Sequence, residues 1–141
     1  MERFPSIVAD IANELITISG EASIKETAEV MLKHGIGSIV VIDEGKPVGI
    51  VTKSDLLSRV LVECRDPRMC KAKEIMSSPL ISVDKDTSIL EAMRIIRNKK
   101  IRRLLVSDGE KIVGIVSETD MVQAVTLTSL AQFSPLLRKN R

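Results

Sequence analysis

The chain has 141 residues, enough for about one domain whose core buries roughly two-thirds of the unfolded surface, so no external staple is needed. With no Trp, no Tyr and only Phe4 and Phe133, its core is aliphatic, and it cannot build the aromatic platforms on which single-stranded nucleic acid stacks. A formal net charge of +2 with both signs interspersed leaves no electrostatic footprint for duplex DNA, so nucleic acid is not an expected partner.

The remaining composition narrows the class further. Cys64 and Cys70 flank an Asp-Pro and fit neither C-x-x-C nor a disulfide framework; with His34 the single histidine, no zinc set can be assembled. Ordinary reduced thiols are expected. No apolar run reaches membrane-spanning length, and the opening MERFPSIVAD lacks the apolar core of a signal peptide, which points to a soluble, cytoplasmic chain without membrane contact.

Read in order, the chain is a tandem repeat. Residues 15–57 align on 80–122 at a constant offset of 65, with about a third of the pairs identical, more than shared secondary structure would give. Upstream, Asp10-Ile11-Ala12 answers Glu74-Ile75-Met76 at an offset one shorter, which makes Pro79 a one-residue insertion. Each repeat opens on a short strand, Ile16 to Ile18 or Ile81 to Val83, followed by a polar turn. Ser23-Ile24-Lys25-Glu26 and Ser88-Ile89-Leu90-Glu91 are capping boxes that start amphipathic helices. Gly35 stops the first helix, and Asn98-Lys99-Lys100 ends the second. A buried strand, a hairpin turn and a returning strand follow, Val48 to Val51 or Val113 to Val116. The order is β-α-β-β-α, twice: repeat 1 over 8–62, a charged connector over 63–73 broken by Asp66-Pro67, and repeat 2 over 74–126. The tail, 127–141, contains a closing helix over Leu127 to Leu137, ended at Pro135, and the basic residues Arg138, Lys139 and Arg141 of a solvated end.

Each repeat closes on one motif, GIVTKSD (Gly49 to Asp55) and GIVSETD (Gly114 to Asp120). A β-branched strand end leads to a hydroxyl at the N-cap position and a carboxylate at N3. Free N–H groups and the positive end of the dipole make such a turn able to hold a phosphate. The same residues also spell a capping box that satisfies backbone donors and binds nothing. Asp is shorter than the Glu or Gln that usually closes such a box, and the choice occurs twice, but the residue types leave both readings open.

The β-α-β-β-α units, the V-x-D turn before the glycine and G-h-h-[T/S]-x-x-D at the close of each repeat resemble a tandem pair of CBS domains, a Bateman module, over residues 8–126. The resemblance implies an α+β fold in which two CBS repeats pack with pseudo-twofold symmetry as one module. It further implies two clefts between the repeats that take an adenosine-containing effector, AMP, ADP, ATP or S-adenosylmethionine, with no cofactor required. By the same resemblance Asp55 and Asp120 hold ribose hydroxyls, and Thr52 and Ser117 reach the phosphate or the ribose. Arg102 and Arg103 meet phosphates where the first repeat has Gly37 and Ser38, leaving the first cleft mainly Lys53 and helix-end amides. Ile36 and Ile101 wall the adenine, positions that plain core packing explains equally well. A homodimer through the helices carrying Leu56, Leu57, Val60 and Leu61, and Met121, Val122 and Val125, is implied too. The expected function is a regulatory ligand-binding module that signals to an unknown protein partner; the alternative is a ligand-free dimerisation or interaction module. An enzyme is not expected, because one histidine and no grouped carboxylates outside the helix starts offer no activated nucleophile and no metal cluster.

Overall fold

In the first repeat β1 (Thr17–Ser19), α1 (Ile24–His34), β2 (Ser38–Asp43) and β3 (Lys46–Thr52) lead into α2 (Lys53–Asp55), which continues as π-helical turns over Leu56–Leu61. After the connector and the short α3 (Ala72–Ile75), the second repeat follows with β4 (Ser82–Asp84), α4 (Ile89–Lys99), β5 (Arg103–Asp108), β6 (Lys111–Ser117) and α5 (Glu118–Gln132). This computed structural model describes residues 4–78 and 80–132. Pro79, the inserted residue, and the tail from Phe133, with Pro135, Leu137 and the basic Arg138, Lys139 and Arg141, lie outside the described residues.

Both sheets have the same build: β1 runs parallel to β2 and β2 antiparallel to β3, and β4, β5 and β6 repeat the pattern. The register shifts at Val41/Ile42 and again at Val106/Ser107, so even the irregularity next to each hairpin was duplicated. The helix starts depart from the sequence expectation. Ser23 Oγ accepts the Glu26 N–H at 3.1 Å and Ser88 Oγ the Glu91 N–H at 3.0 Å, but Glu26 turns to the Ser23 hydroxyl and Glu91 pairs with Arg94, so each box is only half made. The first free N–H groups of each helix are taken by neighbouring segments. The Ile24 N–H donates to the Cys70 carbonyl (2.8 Å), that of Lys25 to Pro67 (3.0 Å), and that of Ile89 to Ser6 (3.0 Å). At the C-caps Gly35 takes φ 63°, and Lys100 takes φ 55°, a left-handed conformation costing a side-chain-bearing residue roughly 1 kcal/mol.

Those capping contacts divide the chain into two compact units. One spans Leu15–Leu80; in the other, the described residues up to Glu14 join those from Ile81 onward. Val8 is fully buried in an aliphatic core with Ile89, Ala92, Leu104, Val116 and Met121. Its counterpart Ala72 is fully buried with Ile24, Met31, Val41, Val51 and Ile75. Each leader segment therefore fills the core of the repeat it does not belong to in sequence. In the 15–80 unit the connector is also held by charge, since Lys71 and Lys73 both bind Glu21 and hold its exposed carboxyl down at about pKa 2. The two cysteines are free thiols, Cys64 exposed and Cys70 buried, and burial pushes the Cys70 thiol up.

The helix expected over Leu127–Leu137 is, as far as Gln132, a continuation of α5. No breaker interrupts the ladder after Thr126, and the hydroxyls of Thr126 and Thr128 fold back onto the Val122 and Ala124 carbonyls at 2.9 and 3.0 Å. Among the described residues no helix is long and apolar enough to cross a membrane.

Candidate functional site: two capped strand-to-helix turns

The motif turns close completely. Thr52 Oγ1 accepts the Asp55 N–H (3.1 Å) while Asp55 Oδ2 accepts the Thr52 N–H (2.9 Å); Ser117 and Asp120 repeat this at 3.1 and 2.9 Å. Asp is thus long enough to shut the box, and the shortness argued from sequence does not separate a cap from a ligand site. The two turns differ in the rest of each carboxylate. Asp120 Oδ2 also accepts from Asn13 Nδ2 at 2.7 Å, and among the described residues none donates to Oδ1. Asp55 is used on both oxygens: Ser77 Oγ donates to Oδ1 at 3.3 Å, and Arg59 Nε lies 3.8 Å from the same atom.

Asn13 and Ser77, which the sequence reading did not single out, occupy equivalent places in the two leader segments. Asn13 exchanges two backbone hydrogen bonds with Ile115 (2.8 and 3.1 Å), and Ser77 does the same with Ile50 (2.8 and 2.9 Å). Each leader residue thereby reaches the aspartate of the turn beside it. The glycine that opens each motif makes this approach possible: a Cβ on Gly114 would sit 2.9 Å from the Asn13 carbonyl oxygen, and one on Gly49 3.0 Å from that of Ser77.

A second tie joins each turn to the residue before its central strand, through Lys53 N–H to the Gly37 carbonyl (3.0 Å) and Glu118 N–H to that of Arg102 (2.8 Å). Lys53 lays its side chain over Gly37, with Cε 3.6 Å from where a Cβ would stand. Ser38 pairs across the sheet with Thr52, and Arg103 with Ser117. Directly opposite residues share a face, so Arg103 lies on the side of Ser117, Leu105 and Ile115, whereas Leu104 and Val106 point into the helix-side core. Arg102 stands at the bend before β5. It lines a pocket of about 320 Å³ between the end of α4 and the start of α5, with Arg97, Lys100, Ile101, Glu118 and Met121. Of the two arginines read as one couple, only Arg102 lines this pocket, while Arg103 stands in register with Ser117. Ile36 and Ile101 pack against the cores of their own units. In the first repeat the positions of Arg97, Lys100 and Arg102 are held by Leu32, Gly35 and Gly37, so the cations are concentrated in the second.

Comparison with known proteins agrees with this duplicated architecture. A family model for the CBS domain matches residues 8–62 and 72–127. An uncharacterised protein of Methanopyrus kandleri is 39% identical over 119 residues, which cover 82% of this chain and 61% of that protein's length. The chain thus spans about three-fifths of that relative's length. Among solved structures, a CBS-domain protein of Burkholderia ambifaria superposes with a TM-score of 0.76 at 28% identity, over 84% of this chain and 93% of that one. The hexameric CBS-CP12 protein of bloom-forming cyanobacteria gives 0.73 at 27% identity, over 82% and 69%.

Proposed function

Because the chain belongs to the CBS-domain family and carries two such domains in tandem, we propose that it is a regulatory module that binds an adenosine-containing nucleotide at its motif turns and passes the bound state to a protein partner. The observation that carries this reading is the Asp120 carboxylate, anchored through Oδ2 and left with an acceptor on Oδ1. An ionised carboxylate only accepts, which suits it to the two donors of a ribose cis-diol. Ser117 Oγ, having accepted the Asp120 N–H, keeps its own proton to donate. Arg103, in register with Ser117, brings charge for a phosphate to the same face.

A dye-based thermal-shift panel of AMP, ADP, ATP, S-adenosylmethionine and NAD tests the proposal, the dye being needed because the chain has neither Trp nor Tyr. A ligand at a hundred times its Kd should raise the melting temperature by roughly 5 to 15 °C, and phosphate-bearing ligands should lose part of that shift at high salt. No shift with any of the five would leave the competing reading, an interaction module whose motifs only start helices. That reading draws support from the completed boxes at Thr52–Asp55 and Ser117–Asp120.

A homodimer belongs to the proposal under either reading. Of the face expected from the sequence, Val60 and Met121 are buried in the cores of their own units and Leu56 and Val125 pack against them, so the exposed apolar surface that association could cover is Leu57, Leu61 and Val62 in one unit and Val122, Leu127 and Leu130 in the other. Sedimentation equilibrium at micromolar concentration should return about twice the 15.5 kDa chain mass. A monomer there would remove the dimer from the proposal.

A further inference from the structure

The geometry points to a latch: Arg59 closes the motif of the first repeat, so the module takes one nucleotide per chain, at Asp120. This inference rests on the nucleotide reading above and adds which of two near-identical motifs is live. Arg59 lies one turn beyond Asp55, and its guanidinium is held at three points. Nη1 donates to the carbonyls of Ile75 (2.9 Å) and Met76 (3.1 Å), and Nε faces Asp55 Oδ1 at 3.8 Å. Ser77 Oγ donates to that same oxygen from the leader segment. The acceptor that a ribose would need is therefore already facing a cation and a hydroxyl, and Asp55 is left only 8% exposed.

Among the described residues the second repeat shows no such clasp on its aspartate. The residue equivalent to Arg59 is Ala124, buried in the core with Met121, and the leader there offers Asn13, which bonds Asp120 on the oxygen already used for capping. Asp120 remains partly exposed. A carboxylate can accept about four hydrogen bonds, so saturation alone does not close Asp55. Closure comes from the position of the guanidinium, which spans the gap between the motif helix and the leader. A diol approaching Asp55 must displace Arg59 and strand two carbonyls that it cannot itself satisfy in the same geometry.

Native mass spectrometry and calorimetry with AMP and with ATP test the latch on the intact chain. The wild type should bind one nucleotide per chain, and Arg59→Ala, which copies the second repeat, should bind two. Adding Asp55→Asn to Arg59→Ala should remove the second binding event and keep the first. Two equivalent sites in the wild type would overturn the latch whatever the variant does, and so would a folded Arg59→Ala that still binds one. Absence of binding of either nucleotide to the wild type would instead sink the nucleotide reading itself, and the latch with it.

Discussion

Asp120→Asn should weaken binding of AMP or ATP roughly 10- to 150-fold in calorimetry, while the melting temperature without ligand moves by no more than about 1 °C. The asymmetry of the carboxylate dictates both halves of that result. Its Oδ2 accepts from Ser117 N–H and Asn13 Nδ2, and an amide oxygen placed there keeps both bonds. Asn caps a helix about as well as Asp. The change falls on the other oxygen, where an NH2 group now presents donors to hydroxyls that also came to donate. A hydrogen bond to a charged acceptor is worth about 1.5 to 3 kcal/mol, and about 1.4 kcal/mol corresponds to tenfold in affinity, which gives the range above. If the turn only starts a helix, the substitution has no nucleotide affinity to reduce. Unchanged affinity for a nucleotide that the wild type binds would take the ribose away from Asp120.

Much of the fold is written locally, and for that reason it is legible. The duplication shows as an ungapped offset; the helix starts show as Ser23 and Ser88, and the first helix stop as Gly35, because caps are set by one or two residues. The leader exchange is not local. That Asp10-Ile11-Ala12 matches Glu74-Ile75-Met76 at a shifted offset is visible in the chain, but which repeat each segment packs on depends on contacts across tens of residues, such as Ser6 with Ile89. In sequence the motif glycines are simply members of the returning strands, and their actual constraint, a backbone crossing over them, appears only once the leaders are placed. Arg102 and Arg103 show a different gap. Proximity in sequence suggested a couple, but Arg102 sits in the bend before β5 and lines a pocket that Arg103, the first residue of the strand, does not. Arg59 carried one faint signal, its replacement by alanine in the second copy; the two carbonyls it binds come from a segment 16 and 17 residues away.

Gly114→Ala should be costly for the addition of a single methyl, lowering stability by about 1 to 3 kcal/mol and the melting temperature by roughly 3 to 12 °C. The added methyl would lie 2.9 Å from the Asn13 carbonyl oxygen and 3.2 Å from Ala12 Cβ. The nearer contact is backbone and cannot swing aside. Asn13 is tied to Ile115 through both its N–H and its carbonyl, so relief of the clash strains or breaks two hydrogen bonds worth about 0.5 to 1.5 kcal/mol each. It also draws the Asn13 amide off Asp120, which couples this packing defect to the site. The variant should therefore bind nucleotide more weakly at temperatures where it remains folded. Gly37→Ala is the matched control. A Cβ there meets only the Lys53 side chain, at 3.6 Å, an ordinary contact with a flexible neighbour, and its φ lies outside the left-handed region. A melting temperature for Gly114→Ala equal to that of Gly37→Ala would show that the leader can shift at no cost, and would undercut the placement of Asn13 beside the aspartate.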